Sequence, residues 1–300
     1  MLIKEKDPAE KAIQQLESIL KIPSLPKETC LKVEREIKTL NAGNRGEADS
    51  AYFIDFHYRN KPNWAVIHDL RIECGGNVAQ IDHLLIDRFI EFYVLESKSY
   101  AYGLKITDRG DFLRWDGHRY SALESPIEQT KRHAIVLGQL LKGEDLLPKR
   151  LGMALQPKFL PYVLVSPKSV INRPDNRKFN TDIVIKSDEL FKQIEKDFDS
   201  TSTIAAMGAL AKLISVETLK EFAQRLATYH QPAEIDYYAK FGIKPVTQIQ
   251  TPHAETPAPI SKYFCFKCSK PISYKVAMFC FQNKGRFGGK AYCYDCQKAF

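Results

Sequence analysis

Residues 80–98 read QIDHLLIDRFIEFYVLESK. Two apolar runs, 81–86 and 90–95, flank a short Asp87-Arg88 connection, and each carries acidic residues where a core strand ordinarily has none. Side chains alternate faces along a strand, so Ile90, Phe92, Val94, Glu96 and Lys98 share one face, with the charged pair at its far end. Asp82 alternates in the same way with Gln80, Leu84 and Ile86. Antiparallel pairing of the two runs brings Asp82 and the Glu96/Lys98 end to one edge of a sheet, because both lie at comparable distances from the turn. Carboxylates at close range raise one another's pKa unless a cation separates them. Oxygen ligands of this kind suit Mg²⁺ or Mn²⁺, with water and a substrate phosphate taking the remaining positions. Read from the residues alone, a strand that merely holds an ion pair with Asp82 fits the pattern as well.

Outward from this stretch, the composition is that of an ordinary globular chain. Three hundred residues suffice for one large domain or two smaller ones. No apolar run reaches the ~18 residues of a membrane helix. The first residues, MLIKEKD, lack the apolar core of a signal peptide, so a cytoplasmic, reducing setting is expected. The net charge of +8 is unevenly placed: residues 261–300 hold seven Lys and one Arg against Asp295 alone, which leaves +1 for the first 260. Five of the seven cysteines fall in the same tail.

Asp7-Pro8-Ala9-Glu10 predicts a helix start with Asp7 as N-cap, followed by Ile13, Leu16 and Leu20 at helical spacing. A second helix is expected from Lys27 to about Leu40, ended by Gly43, and a third over 46–58 with Glu47, Ala51, Ile54 and Tyr58 on one face. A strand at 64–73, a turn at 74–77 and short strands at 104–106, 112–115 and 119–120 follow around the central pair. Residues 126–141 predict a helix that places Gln129 and His133 on one face, His133 in a structural or surface role. Strands at 162–165 and 183–185 and helices at 188–198 and 203–229 follow, the last with a fresh start near Ser215. The proline-rich stretch 231–260 reads as a linker, its later half (248–259) as a flexible tether. The expected divisions are N-terminal helices (1–40), a catalytic-type core (41–145), an extension of that core or a helical subdomain (146–230), the linker, and a metal module (261–300).

Asp82, thirteen residues, then Glu96-x-Lys98 is similar to the D…(D/E)xK signature of restriction-endonuclease-like nucleases. The surroundings resemble the nuclease-related domain (NERD) family: Gly43-x-x-Gly46-Glu47, Ile81-Asp82-His83-Leu84, Glu96-Ser97-Lys98, Gly103, Trp115 and a helix bearing Gln129 occur in the family's order over roughly residues 40–145. Ser97-Lys98-Ser99 departs from the family's frequent Thr-Lys-Asn but keeps the ionisable groups. The resemblance implies an α/β fold, a mixed restriction-endonuclease-like sheet flanked by helices. It also implies a metal-dependent nuclease in which Asp82 and Glu96 ligate Mg²⁺ or Mn²⁺ and Lys98 orients water or balances phosphate charge. Glu47 and Gln129 complete that implied site. On the bare sequence Glu47 is equally a first-turn carboxylate favouring the helix dipole, and Gln129 a solvated helix residue.

Cys265-x2-Cys268 and Cys293-x2-Cys296 enclose a 24-residue spacer, close to the spacing of four-cysteine zinc sites. Paired thiolates suit tetrahedral Zn²⁺, and the ion replaces a core that forty residues hardly build alone. Cys280 lies mid-spacer and reads as buried, and Cys30 and Cys74 as small apolar residues. The unit resembles a zinc ribbon or the zinc finger appended to type I topoisomerases. Its ten aromatics interleave with eight basic residues, a composition suited to phosphate attraction and base stacking on single-stranded or distorted nucleic acid. A protein-docking ribbon whose aromatics fill its core is the alternative, and the nuclease resemblance implies DNA as the partner, with RNA second. Two other readings stand beside the nuclease: a nucleic-acid-binding adaptor whose core has lost activity, and a scaffold that recruits a helicase or other DNA-processing protein.

Overall fold

The computed structural model describes residues 1–199, 213–243 and 263–300. They fall into two units, Met1–Gly242 and Ile243–Phe300.

The first unit is built on strands β1 (Leu2–Lys4), β2 (Trp64–Cys74), β3 (Asn77–Asp87), β4 (Glu91–Lys98), β5 (Leu104–Ile106), β6 (Phe112–Trp115), β7 (Tyr120–Leu123), β8 (Lys149–Arg150), β9 (Met153–Ala154), β10 (Lys158–Val165), β11 (Ile171–Asn172) and β12 (Val184–Lys186). A six-stranded sheet runs in the order β1-β2-β3-β4-β10-β12, with β2, β3 and β4 antiparallel and both edges added in parallel. A smaller sheet has the order β11-β5-β6-β7, and β8 and β9 form a two-strand ribbon. Helix α1 (Glu10–Leu20) packs on α2 (Lys27–Tyr58), and α2, α3 (Pro126–Gly143), α4 (Leu190–Asp199) and a later helix, Val216–Ala227, cover the large sheet. Leu84, Ile86, Phe92 and Val94 pack against Ala134, Leu137 and Leu141 of α3 and Leu219 and Phe222 of the later helix. Leu85, Tyr93 and Leu95 on the opposite face meet Ile54 and Tyr58 of α2 and Leu190 and Ile194 of α4. Burial on both faces explains why the two central runs are continuously apolar rather than alternating. The turn between them is held by Asp87, whose Oδ1 accepts the amides of Phe89 (2.9 Å) and Glu91 (3.0 Å). Burial lifts that carboxyl to about 7.

Several local expectations are revised. The helix expected to stop at Gly43 continues unbroken through Gly46 to Tyr58. Neither glycine has a positive φ, so neither acts as a cap. Gly46 is there for space, since a Cβ on it would sit 2.8 Å from the Cβ of Ser99. Asp7 does not cap α1: the helix begins at Glu10 with Ala9 at its N-cap. The Asp7 carboxylate is taken by Lys4 (2.8 Å) and His230 (2.7 Å) instead. The strand expected at 119–120 lies at Tyr120–Leu123. Within residues 146–230, β10 lies beside β4 in register, Lys158 opposite Glu91 through Val165 opposite Lys98. The later helix starts on Ser215, whose hydroxyl accepts the Thr218 amide. Residues 203–212 of the expected helix and the tether at 248–259 lie outside the described residues. No helix among the described residues is long and apolar enough to cross a membrane.

The second unit holds a pair of two-residue strands, Tyr263–Phe264 and Pro271–Ile272, and helices Tyr274–Gln282, Lys284–Phe287 and Tyr294–Gln297. Phe287 and Cys280 lie in its small core with Ile272, Ala277 and Tyr292.

The two glycines of α2 separate space from helix propensity. Gly43→Ala meets nothing nearer than Glu47 Oε1 at 3.9 Å and is expected to stabilise the unit by about 0.5–1 kcal/mol in urea titrations. Gly46→Ala is expected to destabilise it by about 1–3 kcal/mol, through the clash with Ser99; equal effects at both positions would contradict the packing described.

Candidate functional site

The last ladder pair between β3 and β4 on the side away from their turn is His83 with Leu95. One step further come Asp82 and Glu96, where the ladder gives way to a side chain: the Ser97 amide donates to Asp82 Oδ2 at 2.7 Å. Lys98 Nζ donates to Glu96 Oε1 at 2.6 Å. Glu96 is buried, whereas Asp82 is only partly so. Glu47 follows the glycine that packs on Ser99, so the closeness of Gly46 to the strand end is what carries this carboxylate to the edge. Gln129 lies in the first turn of α3, which is capped by Ser125, opened by Pro126 and anchored where Thr130 donates to the Val94 carbonyl at 3.0 Å. Thus the structure brings Asp82, Glu96, Lys98, Glu47 and Gln129 to one sheet edge. Gly103, from the same motif order, has φ +110° and a Cβ there would approach the Val170 carbonyl to 3.1 Å; it shapes the entry to the small sheet.

The electrostatics are those of carboxylates short of positive charge. Burial, then the neighbouring Glu96 and Glu47, push the Asp82 carboxyl well above its ordinary range; the Ser97 amide and Lys98 only partly offset this. Glu96 is raised too, by burial, although Lys98 and the Gln129 side chain favour its charged form. Its Oε2 is buried without a hydrogen-bond partner among the described residues. A divalent ion fits this donor set, because Asp82 and Glu96 together offer the one or two carboxylates around which Mg²⁺ keeps water and phosphate oxygens.

Two neighbours escaped sequence reasoning. Lys6, just past β1, reaches Glu47 Oε2 at 2.5 Å and Asn44 Oδ1 at 2.8 Å. Its segment is fixed by Lys4, whose ammonium donates to the carbonyls of His68 (3.2 Å) and Asp69 (3.0 Å) in β2. His133, expected in a structural or surface role, stands with Nδ1 3.5 Å from Glu96 Oε2. Burial, with Arg132 and Lys98 nearby, brings its pKa down to about 4, so the ring is neutral at neutral pH. The one available signal was its spacing of four from Gln129 on α3. On the opposite face of β3, His83 Nδ1 and His68 Nδ1 are 2.8 Å apart, and His68 Nε2 faces Asp55 at 3.2 Å.

In the second unit Cys265, Cys268, Cys293 and Cys296 place their sulfurs within 4.8 Å of one another. Among the described residues they are the one group of three or more ligand side chains gathered so closely. The arrangement could hold a metal ion, and four sulfurs favour zinc. Crowding shifts the thiols: Cys296 is pushed up to about 12, chiefly by the Cys293 thiol. Burial raises the Cys265 thiol, but the amides of Cys293, Cys268 and Lys267 outweigh it and bring the group down to about 6. Cys280 stands apart, fully buried, its sulfur accepting from the Tyr292 amide (3.4 Å) and Gln297 (3.3 Å). All seven cysteines are free thiols. Phe264, Phe266, Tyr274, Phe279, Tyr294 and Phe300 are exposed, and Lys290 Nζ lies 3.7 Å from the centre of the Phe266 ring.

The family described as Nuclease-related domain (NERD) matches residues 42–166. The match passes beyond residue 145 and takes in β10; β1 and Lys6 lie outside it. No curated protein and no solved structure matches the chain.

A carboxyl whose pKa is raised by folding adds stability while protonated, in full below its unfolded value, and loses it as pH rises through the folded one. Asp82→Asn keeps an acceptor for Ser97 and removes the charge. In metal-free protein it is expected to raise the melting temperature at pH 8, about 2–4 °C for each kcal/mol relieved, and to have no such effect at pH 3. A lower melting temperature at pH 8 would contradict the reading. For the second unit, elemental analysis is expected to find one zinc per chain, lost in Cys268→Ser and Cys293→Ser and kept in Cys280→Ala.

Proposed function

We propose that the first unit is a metal-dependent nuclease that hydrolyses phosphodiester bonds in nucleic acid, DNA above RNA. The observation that carries this reading is the pair of pKa-raised carboxylates, Asp82 and Glu96, set beside Lys98 at one strand end with a buried carboxylate oxygen left unpaired. The nuclease-related match over 42–166 supports the same class. Asp82 and Glu96 would hold Mg²⁺ or Mn²⁺, an ion that supplies a lowered water pKa and charge stabilisation on the phosphate when bound.

The chain's own groups divide the remaining work. Lys98, 30% exposed at its side chain and hydrogen-bonded to Glu96, is placed to orient the attacking water or to balance charge developing on the phosphate. Gln129 offers an amide for bound water or a phosphate oxygen. Glu47 contributes a third negative charge and is itself steadied by Lys6. Thr130, through Val94, keeps α3 in register with the strand that carries Glu96. The second unit, a four-cysteine zinc finger in this reading, would bring the substrate in: its exposed aromatic rings suit stacking on unpaired bases and its lysines suit phosphate.

The test is cleavage of labelled single- and double-stranded DNA and RNA with Mg²⁺ or Mn²⁺. The intact protein is expected to cut, with Asp82→Ala inactive and Lys98→Ala slowed on the order of 10²–10³-fold. Cleavage that survives both substitutions would overturn the assignment. Binding without cleavage under every condition would establish instead the adaptor or recruiting scaffold.

A further inference from the structure

Beside the candidate site, between the start of β3 and the outer side of α3, lies a cavity of about 470 Å³ whose wall includes Asn77, Val78, Gln129, Arg132, His133 and Gln139. We propose that this cavity receives one unpaired base, that of the nucleotide adjoining the scissile phosphate. The proposal rests on the nuclease reading for the position of that phosphate.

Continuity is the first argument. Gln129 and His133 belong both to the cavity wall and to the surroundings of Glu96. His133 Nδ1 and Glu96 Oε2, 3.5 Å apart, are both buried and both without a hydrogen-bond partner among the described residues. Such atoms ordinarily have a partner in a native structure. His133 lines the cavity and Glu96 does not, so the 3.5 Å step between the two atoms is the distance from the cavity wall to the carboxylate.

The chemistry of the wall is the second. The side-chain amides of Asn77 and Gln139 each offer donors and acceptors, as the edge of a nucleobase requires. Val78, 51% exposed, adds an apolar surface for the face of a ring. Arg132, paired with Glu124 in the same wall, contributes guanidinium donors for a base edge or a flanking phosphate. Size is the third. Small-molecule pockets occupy ~300–1,000 Å³, and this cavity, at about 470 Å³, has the volume for one nucleoside. A base inside it must be out of its stack. The cavity therefore selects a single strand, or the frayed end of a duplex, over an intact helix.

The experiment uses the full zinc-loaded chain carrying Asp82→Asn, which leaves an oligonucleotide uncut and spares its phosphate one repelling charge. Single-stranded DNA bearing one thio-substituted thymine at successive positions is irradiated, and the crosslinked residues are mapped by mass spectrometry. Crosslinks are expected at 77–78 and 132–139 from a single thymine position, and none from the same thymine within a duplex. Gln139→Trp and Asn77→Trp, both at exposed positions, fill the cavity and are expected to cut the crosslink yield about tenfold, equivalent to 1.4 kcal/mol. Total binding, followed by fluorescence anisotropy, is expected to change little. Crosslinks confined to other segments, or undiminished in both filled variants, would overturn the proposal. The two readings fail separately: a wild-type chain that cuts nothing yet crosslinks at these residues sinks the nuclease, and one that cuts without crosslinking there sinks the cavity.

Discussion

The register of β3 on β4 is the constraint on which the rest depends. Leu84 opposite Val94 and His83 opposite Leu95 put Asp82 and Glu96 together at the strand ends, on the face covered by α3. A slip of one residue would send Asp82 to the face of α2 and Leu85 or Tyr93 out of its core. The apolar residues that hold this register are buried on both sides, so the cost of a slip is spread over both cores. The carboxylates add little to it: Asp82 accepts the Ser97 amide across the pair, but burial and nearby negative charge make each less comfortable as an anion. Hydrophobic packing holds a destabilised pair in place, a pattern that belongs to functional sites more often than to structural ion pairs.

The site draws on elements well separated in the chain. Glu47 arrives on a helix whose glycine lets it approach the strand end, and Lys6 meets it from beyond β1. Gln129 and His133 come from α3, held to β4 by the hydroxyl of Thr130. The family match spans the carboxylates and Gln129 but leaves out Lys6, so part of this edge belongs to the chain's own N-terminal segment. The cysteine unit gathers the sulfurs of its two Cys-x2-Cys pairs, with a helix and a fully buried Cys280 in the spacer between them.

The central hairpin was legible because periodicity two fixes which side chains share a face, and the distance of Asp82 and Glu96 from the turn fixes their meeting. Local signals elsewhere were weaker than tertiary ones. Gly43 reads as a helix stop, yet it lies inside α2, where Gly46 is needed for contact with Ser99. Asp7 reads as a cap, but Lys4 and the distant His230 claim its carboxylate. Residues 158–165 gave no sign of their partner, since parallel pairing with β4 joins segments far apart in sequence. Lys6 and His133 were missed for the same reason: each meets its carboxylate only through the fold.

Asp82 and Glu96 are proposed to hold a divalent cation. The most direct test is calorimetric titration of Mn²⁺ into the full zinc-loaded chain near neutral pH, in buffers of different ionisation enthalpy. One Mn²⁺ is expected to bind with release of protons, because carboxyls of raised pKa must ionise to ligate, and that binding is expected to be lost in Glu96→Gln. Absence of Mn²⁺ binding, or binding unchanged in Glu96→Gln, would contradict it.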